Sequence, residues 1–319
     1  TDLEVELEVC LSGANIEQPG ETTIPAKKAA DIIRELPEGQ VSFELNEESS
    51  KLTVKSSSGK YNLSTIPGSD FPDFDVIKSD TTHKITPNKL YELFLKTSFA
   101  MANQDWRHYL NGCLFEKTGS SINMVATDAH RLAIYKSNLE GEGNFTGIVP
   151  RKTVIELMKI LPKQEDEIEF YINSNNIVFM SKKFTFKSKL IDGNYPNYNQ
   201  VVPQGEGSKI TFNRKNMLDS LSRVSVLTSE KFKGVKLKTE SGVLDISAHN
   251  PDQESAEEKL DVTSAGNEFD IAFNVNYLKE VLGTIDEEEI SLISFGSDKS
   301  ALVESGDSNQ VLVLMPLLL

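Results

Sequence analysis

One helical pattern recurs three times along this 319-residue chain at almost constant spacing, which obliges it to fold as a series of similar units. The first copy follows Ile24-Pro25-Ala26-Lys27-Lys28 and sets Ala29, Ile32, Ile33 and Leu36 in register. The second follows Val149-Pro150-Arg151-Lys152 with Val154, Leu157, Met158 and Leu161. The third follows Phe273-Asn274-Val275-Asn276 with Leu278, Val281, Leu282 and Ile285. Each set is spaced i, i+3, i+4, i+7, the stripe of a helix with one buried face. Their leading residues, Ala29, Val154 and Leu278, stand 125 and then 124 residues apart.

Other landmarks keep the period: Phe71-Pro72-Asp73-Phe74 returns as Tyr195-Pro196-Asn197-Tyr198. A further helix is predicted after Ile85-Thr86-Pro87-Asn88, with Leu90, Leu93 and Phe94 inward. Its counterpart follows Ile210-Thr211-Phe212-Asn213, with Leu218, Leu221 and Val224 inward. Alternating segments at 41–54, 122–126, 168–186 and 243–248, bounded by Gly, Asn and Ser, read as antiparallel strands. The expected fold class is α+β in three similar domains at 1–78, 83–203 and 208–319, joined by short polar linkers at 77–82 and 203–208. The first unit has one helix where the others have two. By the repeat arithmetic about 45 residues are absent from its front, so that the first domain is N-terminally truncated; a naturally shorter terminal repeat is the alternative.

Composition narrows the function classes. The longest apolar run, 311–319, is broken by Pro316 and falls far below the roughly 20 residues that span a bilayer. The acidic, alternating start has no signal-peptide pattern. Two cysteines, Cys10 and Cys113, offer no disulfide framework and no CxxC, so the expected compartment is a reducing cytoplasm. The formal charge of -15 argues against coating nucleic acid by bulk attraction. The bases are nevertheless gathered: Lys27-Lys28, Arg151-Lys152 and Arg214-Lys215 fall in first helical turns, where the macrodipole favours acids. With Arg34, Lys159 and Arg223 they form basic faces suited to phosphates, or else plain solvated surfaces. Gln104-Asp105-Trp106-Arg107-His108-Tyr109 mixes aromatic and basic residues able to touch a DNA backbone or stack on bases, although Trp106 taken alone is read as a core residue.

Catalytic chemistry finds little material. Gly59-Lys60 lacks the rest of a phosphate loop, and Gly141-Glu142-Gly143 is a fragment of a dinucleotide fingerprint. Asp128 and His130 are predicted to lie on a strand, with no nucleophile or metal-ligand partner in spacing. No cofactor is called for. A hydrolase using Asp128 and His130, and a scaffold protein without DNA, are the rival readings.

Taken together, several segments resemble the bacterial DNA polymerase III β subunit family. They are Thr127-Asp128-Ala129-His130-Arg131-Leu132-Ala133, Tyr109-Leu110-Asn111-Gly112, Val149-Pro150-Arg151-Lys152, Ser188-Lys189-Leu190-Ile191-Asp192-Gly193, Ser229-Glu230-Lys231-Phe232 and Leu314-Met315-Pro316. The resemblance implies a non-catalytic sliding clamp, a head-to-tail homodimer with antiparallel sheets outside and helices lining a hole around double-stranded DNA, read without regard to sequence. It also implies partners: the replicative polymerase, the clamp loader, and repair and translesion polymerases.

Carried over by position, the client-peptide groove would comprise Leu110, Thr127, Ala129, His130, Arg131, Leu132, Pro196, Gln200, Val201, Phe232, Asn274, Tyr277, Ser300, Val313, Leu314, Met315, Pro316 and Leu317. Its apolar walls would take aliphatic and aromatic anchors, with His130 and Arg131 orienting the peptide. DNA contacts would map to Gln104, His108 and Tyr109 in a loop, with Arg34, Arg151, Lys152 and Lys159 on helices. The subunit interface would use Lys28, Tyr61, Leu63, Val226 and Leu227. Three departures from the family pattern are Ala129 for a usual glycine, which is expected to narrow the pocket, Gln200 for a frequent arginine, and Leu318, which makes the tail more apolar.

Overall fold

In a computed structural model, residues 1–318 are described except 73, 75–78, 80, 232, 241 and 265–269. Half of the expected linker at 77–82, residues 77, 78 and 80, therefore lies outside the described residues. The chain forms two compact units: Thr1–Leu3 with Val9–Asp75, and Glu4–Glu8 with Val76–Leu319.

The first unit holds helix α1 (Ala26–Glu35) and an antiparallel sheet of Ser42–Asn46, Lys51–Lys55 and Lys60–Ser64. Thr22–Thr23 pairs separately with Ile66–Pro67. Its core is small: Leu52, Val54 and Leu63 are buried, with Ile24, Ala29, Ile32, Val41 and Leu45 packed against them. The apolar stripe of α1 is half satisfied, since Ala29 and Ile32 reach this core while Ile33 stays exposed and no α1 residue is fully buried.

The second unit carries two strand-and-helix modules. Helices α2 (Pro87–Leu95) and α3 (Arg151–Ile160) belong to the first, and α4 (Arg214–Val224) and α5 (Val275–Gly283) to the second. Three starts are set by the residue types that favour them. Thr86 Oγ1 accepts from Lys89 N ahead of α2, Asn213 Oδ1 from Asn216 N ahead of α4, and Asn274 Oδ1 from Asn276 N and Tyr277 N ahead of α5. The predicted inward residues are buried, Leu90, Leu93, Phe94, Val154, Leu157, Leu278, Val281, Leu282 and Ile285 among them. On α4 the stripe is turned slightly, so that Met217 is buried and Leu218 only partly.

A nine-stranded antiparallel sheet runs through both modules. Its order is Phe145–Pro150, Gly112–Thr118, Ser121–Thr127, Arg131–Asn138, Gln310–Leu314, Ala301–Glu304, Glu289–Ser294, Ser208–Asn213 and Thr263–Ser264. The modules meet where Arg131–Asn138 pairs with Gln310–Leu314, with Leu132 opposite Val313 and Arg131 opposite Leu314. A five-stranded sheet (Val5–Val9, Phe184–Lys189, Asn176–Met180, Ile168–Ile172, His83–Ile85) and a four-stranded one (Ser255–Asp261, Val243–His249, Gly234–Glu240, Asp270–Asn274) complete the unit. Strand alternation sorts the seam residues onto two faces. Ala133, Tyr135, Leu312 and Leu314 join the main core with the helices, while Leu132, Ile134 and Val313 join a second apolar cluster with Leu114, Val125 and Ile148.

Candidate functional site

Two groups of predicted residues are brought together in the second unit. One is the module seam. Strands Ser121–Thr127 and Arg131–Asn138 are joined by a tight turn in which Asp128 Oδ1 accepts from the backbone N–H of His130 and of Arg131, at 2.9 and 3.0 Å. Asp128 and His130 therefore lie in a turn and not along a strand. Thr127 Oγ1 accepts from Ala129 N and donates to Arg131 O, and Ala129 sits at φ +74°, a left-handed conformation that costs a side chain about 1–2 kcal/mol. That backbone state explains why a glycine suits the position.

The turn delivers Arg131 into the seam rather than to solvent. Its side chain is 7% exposed, its Nε donates to Asp128 Oδ2 at 3.2 Å, and its two terminal nitrogens donate to Glu280 Oε2 at 2.5 Å and to the Phe99 carbonyl at 2.6 Å. The guanidinium carbon lies 4.5 Å from the Tyr277 ring centroid and 5.3 Å from that of Phe99. Each of the three guanidinium nitrogens thus has an acceptor. Of the two residues expected to orient a peptide, His130 is exposed and its ring stacks on Tyr277 with centroids 5.8 Å apart, while Arg131 is buried. Tyr277 rides on α5, which a second buried cation fixes: Lys96 Nζ donates to the Thr284 carbonyl at 2.8 Å and pairs with Asp286 at 2.6 Å. Lys96, Phe99 and Glu280 carried no signal in the sequence, because their partners lie far along the chain.

The remaining residues expected to line a groove divide by depth. Leu110, Leu132 and Val313 are buried; the last two lie in the outer cluster under Tyr195, Tyr198 and Val202. Leu314 faces the helices instead and so lies behind the floor. At the rim Val201 is 44% and Met315 39% exposed, with Pro196, Gln200 and Leu318 also open. Ser300 Oγ donates to the Val201 carbonyl at 3.4 Å. Asn274 uses its side chain to cap α5. The tail is laid down by Met315 N donating to His130 O and Leu317 N to Ala272 O, both at 2.8 Å, with Pro316 between them. Phe232 lies outside the described residues. A cleft of about 450 Å³ opens nearby between the 192–199 loop and the strands Gly112–Thr118 and Phe145–Pro150; of the predicted residues only Pro196 lines it. There Tyr198 donates to Glu116, and burial with that carboxylate pushes its phenol up to about 12.

The other group is the loop that follows α2. Gln104 adopts φ +58°, and Gln104 and His108 are exposed while Tyr109 packs partly on the outer cluster. Arg151, at the start of α3, ties in: its N–H donates to Asn111 O and its guanidinium to Met101 O. Trp106 is 82% exposed, which overturns the expectation of a core residue. On the helices the cations already have neighbours, Arg34 with Asp31 at 3.0 Å in the first unit and Lys159 with Glu156 at 2.8 Å; Lys152 is exposed. Of the residues expected at a subunit interface, Lys28, Tyr61 and Val226 are exposed and Leu227 half-buried, but Leu63 is part of the first unit's core.

Comparison with known proteins covers the whole chain. Residues 1–75 match the N-terminal, 84–197 the central and 199–318 the C-terminal domain of the DNA polymerase III beta subunit. The chain is 39% identical over 320 residues to the beta sliding clamp of Pseudomonas aeruginosa and 38% identical to that of Escherichia coli, covering 99% of this chain and 87% of each relative. It is 40% identical over 321 residues to the clamp of Proteus mirabilis. The crystal structure of the Pseudomonas aeruginosa subunit superposes with a TM-score of 0.94 over 100% of this chain and 88% of that one.

Proposed function

We propose how these residues act from one premise: the chain belongs to the bacterial DNA polymerase III β subunit family and is a DNA sliding clamp, a non-catalytic partner of a polymerase. In our reading the module seam receives a short linear peptide from polymerases, the clamp loader and repair enzymes. One observation carries this: the shared sheet sets Leu132 opposite Val313 as an apolar floor, with His130, Val201 and Met315 left open above it. Apolar surface rimmed by polar groups favours a peptide anchored by one or two large side chains. Met315 suits clients of differing shape because its unbranched thioether repacks at little cost.

DNA would be held loosely. Gln104, His108, Tyr109, Arg151, Lys152, Lys159 and Arg34 are assigned phosphate contacts without base readout. Arg34 and Lys159 each share a carboxylate on their own helix, so a phosphate must compete for them, and this keeps each contact weak. Weak contacts permit sliding, and retention then comes from enclosing the duplex rather than from affinity. Enclosure requires a ring, for which we assign a cytoplasmic homodimer using Lys28, Tyr61, Val226 and Leu227, with Leu63 supporting that surface from beneath. The test is retention on closed circular DNA in high salt, with release when the circle is cut. Equal loss from circular and linear DNA would remove the topological mechanism.

A further inference from the structure

The chain's single tryptophan is left more open to water than the other exposed aromatic rings among the described residues, Phe43, Phe71 and Tyr61. Trp106 is 82% exposed, yet the backbone that presents it is fixed on both sides. Asp105 and Arg107, its flanking residues, are closed onto one another: Asp105 Oδ1 accepts from Arg107 N at 2.8 Å and Nε at 3.0 Å, and Oδ2 accepts from Arg107 Nη2 at 2.8 Å. Asn111 then brackets Asp105, accepting from its N–H at 2.9 Å and donating to its carbonyl at 2.8 Å. The same asparagine's carbonyl accepts from Arg151 N at the start of α3. The indole is therefore at the apex of a braced turn, and little ordering entropy remains to oppose a contact made there.

The charge around the ring decides what kind of contact that is. Arg107 lies 5.8 Å from the indole centroid, but its cation is neutralised by Asp105, whose carboxyl the arginine holds down at about 2 and so ionised at any working pH. A neutralised guanidinium is a poor phosphate ligand, and an exposed indole offers a π face. We propose that Trp106 is a stacking platform for an unpaired nucleobase, distinct in chemistry from the phosphate contacts assigned to the same loop. The inference rests on the clamp reading and adds to it a preference for single-stranded DNA next to the duplex.

Having one tryptophan makes the test direct, since all indole emission reports this position. The full chain is titrated with a fluorescently labelled single-stranded oligothymidylate and with a blunt duplex, following label anisotropy and indole emission together. Quenching of the indole by the single strand is expected. Trp106→Ala should weaken single-strand binding about tenfold, the order set by losing one stacked base, and Trp106→Phe should restore most of it. The ratio between wild type and Trp106→Ala should stay level as salt rises, because stacking releases no counterions. Binding with unchanged indole emission, or equal affinity of Trp106→Ala, overturns the platform while leaving the clamp reading intact. A ratio that falls toward one as salt rises would assign the tryptophan's contribution to phosphate and overturn the platform as well. Failure of the circular-DNA test would sink the clamp reading by a separate route.

Discussion

Ala129 and His83 show how single residues can carry cost that their neighbours impose. Ala129 is held at φ +74° because Thr127 and Asp128 close the turn through their side chains. Replacing it with glycine should therefore raise unfolding stability by about 0.5–1 kcal/mol, measured by urea denaturation, since relief of left-handed strain exceeds the added freedom of the unfolded chain. His83 is 4% exposed among Phe145 and Phe170, and its Nδ1 has no hydrogen-bond partner among the described residues. Burial, with the Lys117 ammonium nearby, lowers its pKa below the ordinary 6.5. The unfolded chain then takes up a proton first as pH falls, so stability is full above about 6.5 and declines below it until the folded form also protonates. His83→Phe keeps the ring cluster and should flatten that decline, seen by comparing unfolding free energies of the two proteins between roughly pH 5 and 8.

At the scale of elements, the tail after Gln310–Leu314 joins the seam through Met315 N and Leu317 N, leaving the Met315 side chain at the rim. Met315→Ala should weaken a client peptide about tenfold with little change in stability, measured by peptide titration alongside urea denaturation, because an exposed anchor affects binding more than folding. Helices α2 to α5 were legible in the sequence, since their apolar spacing and caps are local properties. The paired register of Leu132 with Val313 was not, because it joins strands some 180 residues apart and no local pattern specifies a partner. For the same reason the Arg131–Glu280 and Lys96–Asp286 pairs were invisible, and so was the burial of the Arg131 guanidinium in the seam. Trp106 misled in the other direction: residue type favours burial, whereas the Asp105–Arg107 closure that expels the ring depends on a turn geometry that composition does not encode.

For the whole molecule, the two units differ in how much core they own. The first rests on Leu52, Val54 and Leu63, while the second is built around one extended cluster spanning both of its modules. Amide exchange should therefore come in two classes, with strands 42–64 exchanging well before the nine-stranded sheet, as followed by mass spectrometry of peptic fragments. Uniform protection across both units would contradict that division. The seam also sets a schedule for biogenesis. The strand at the middle of the nine is the last of them to leave the ribosome, so Arg131–Asn138 and Ala301–Glu304 must wait with open edges until residues 310–314 emerge. A nascent chain paused just short of that stretch would hold two finished halves with nothing to fasten them, and would be a natural substrate for chaperones.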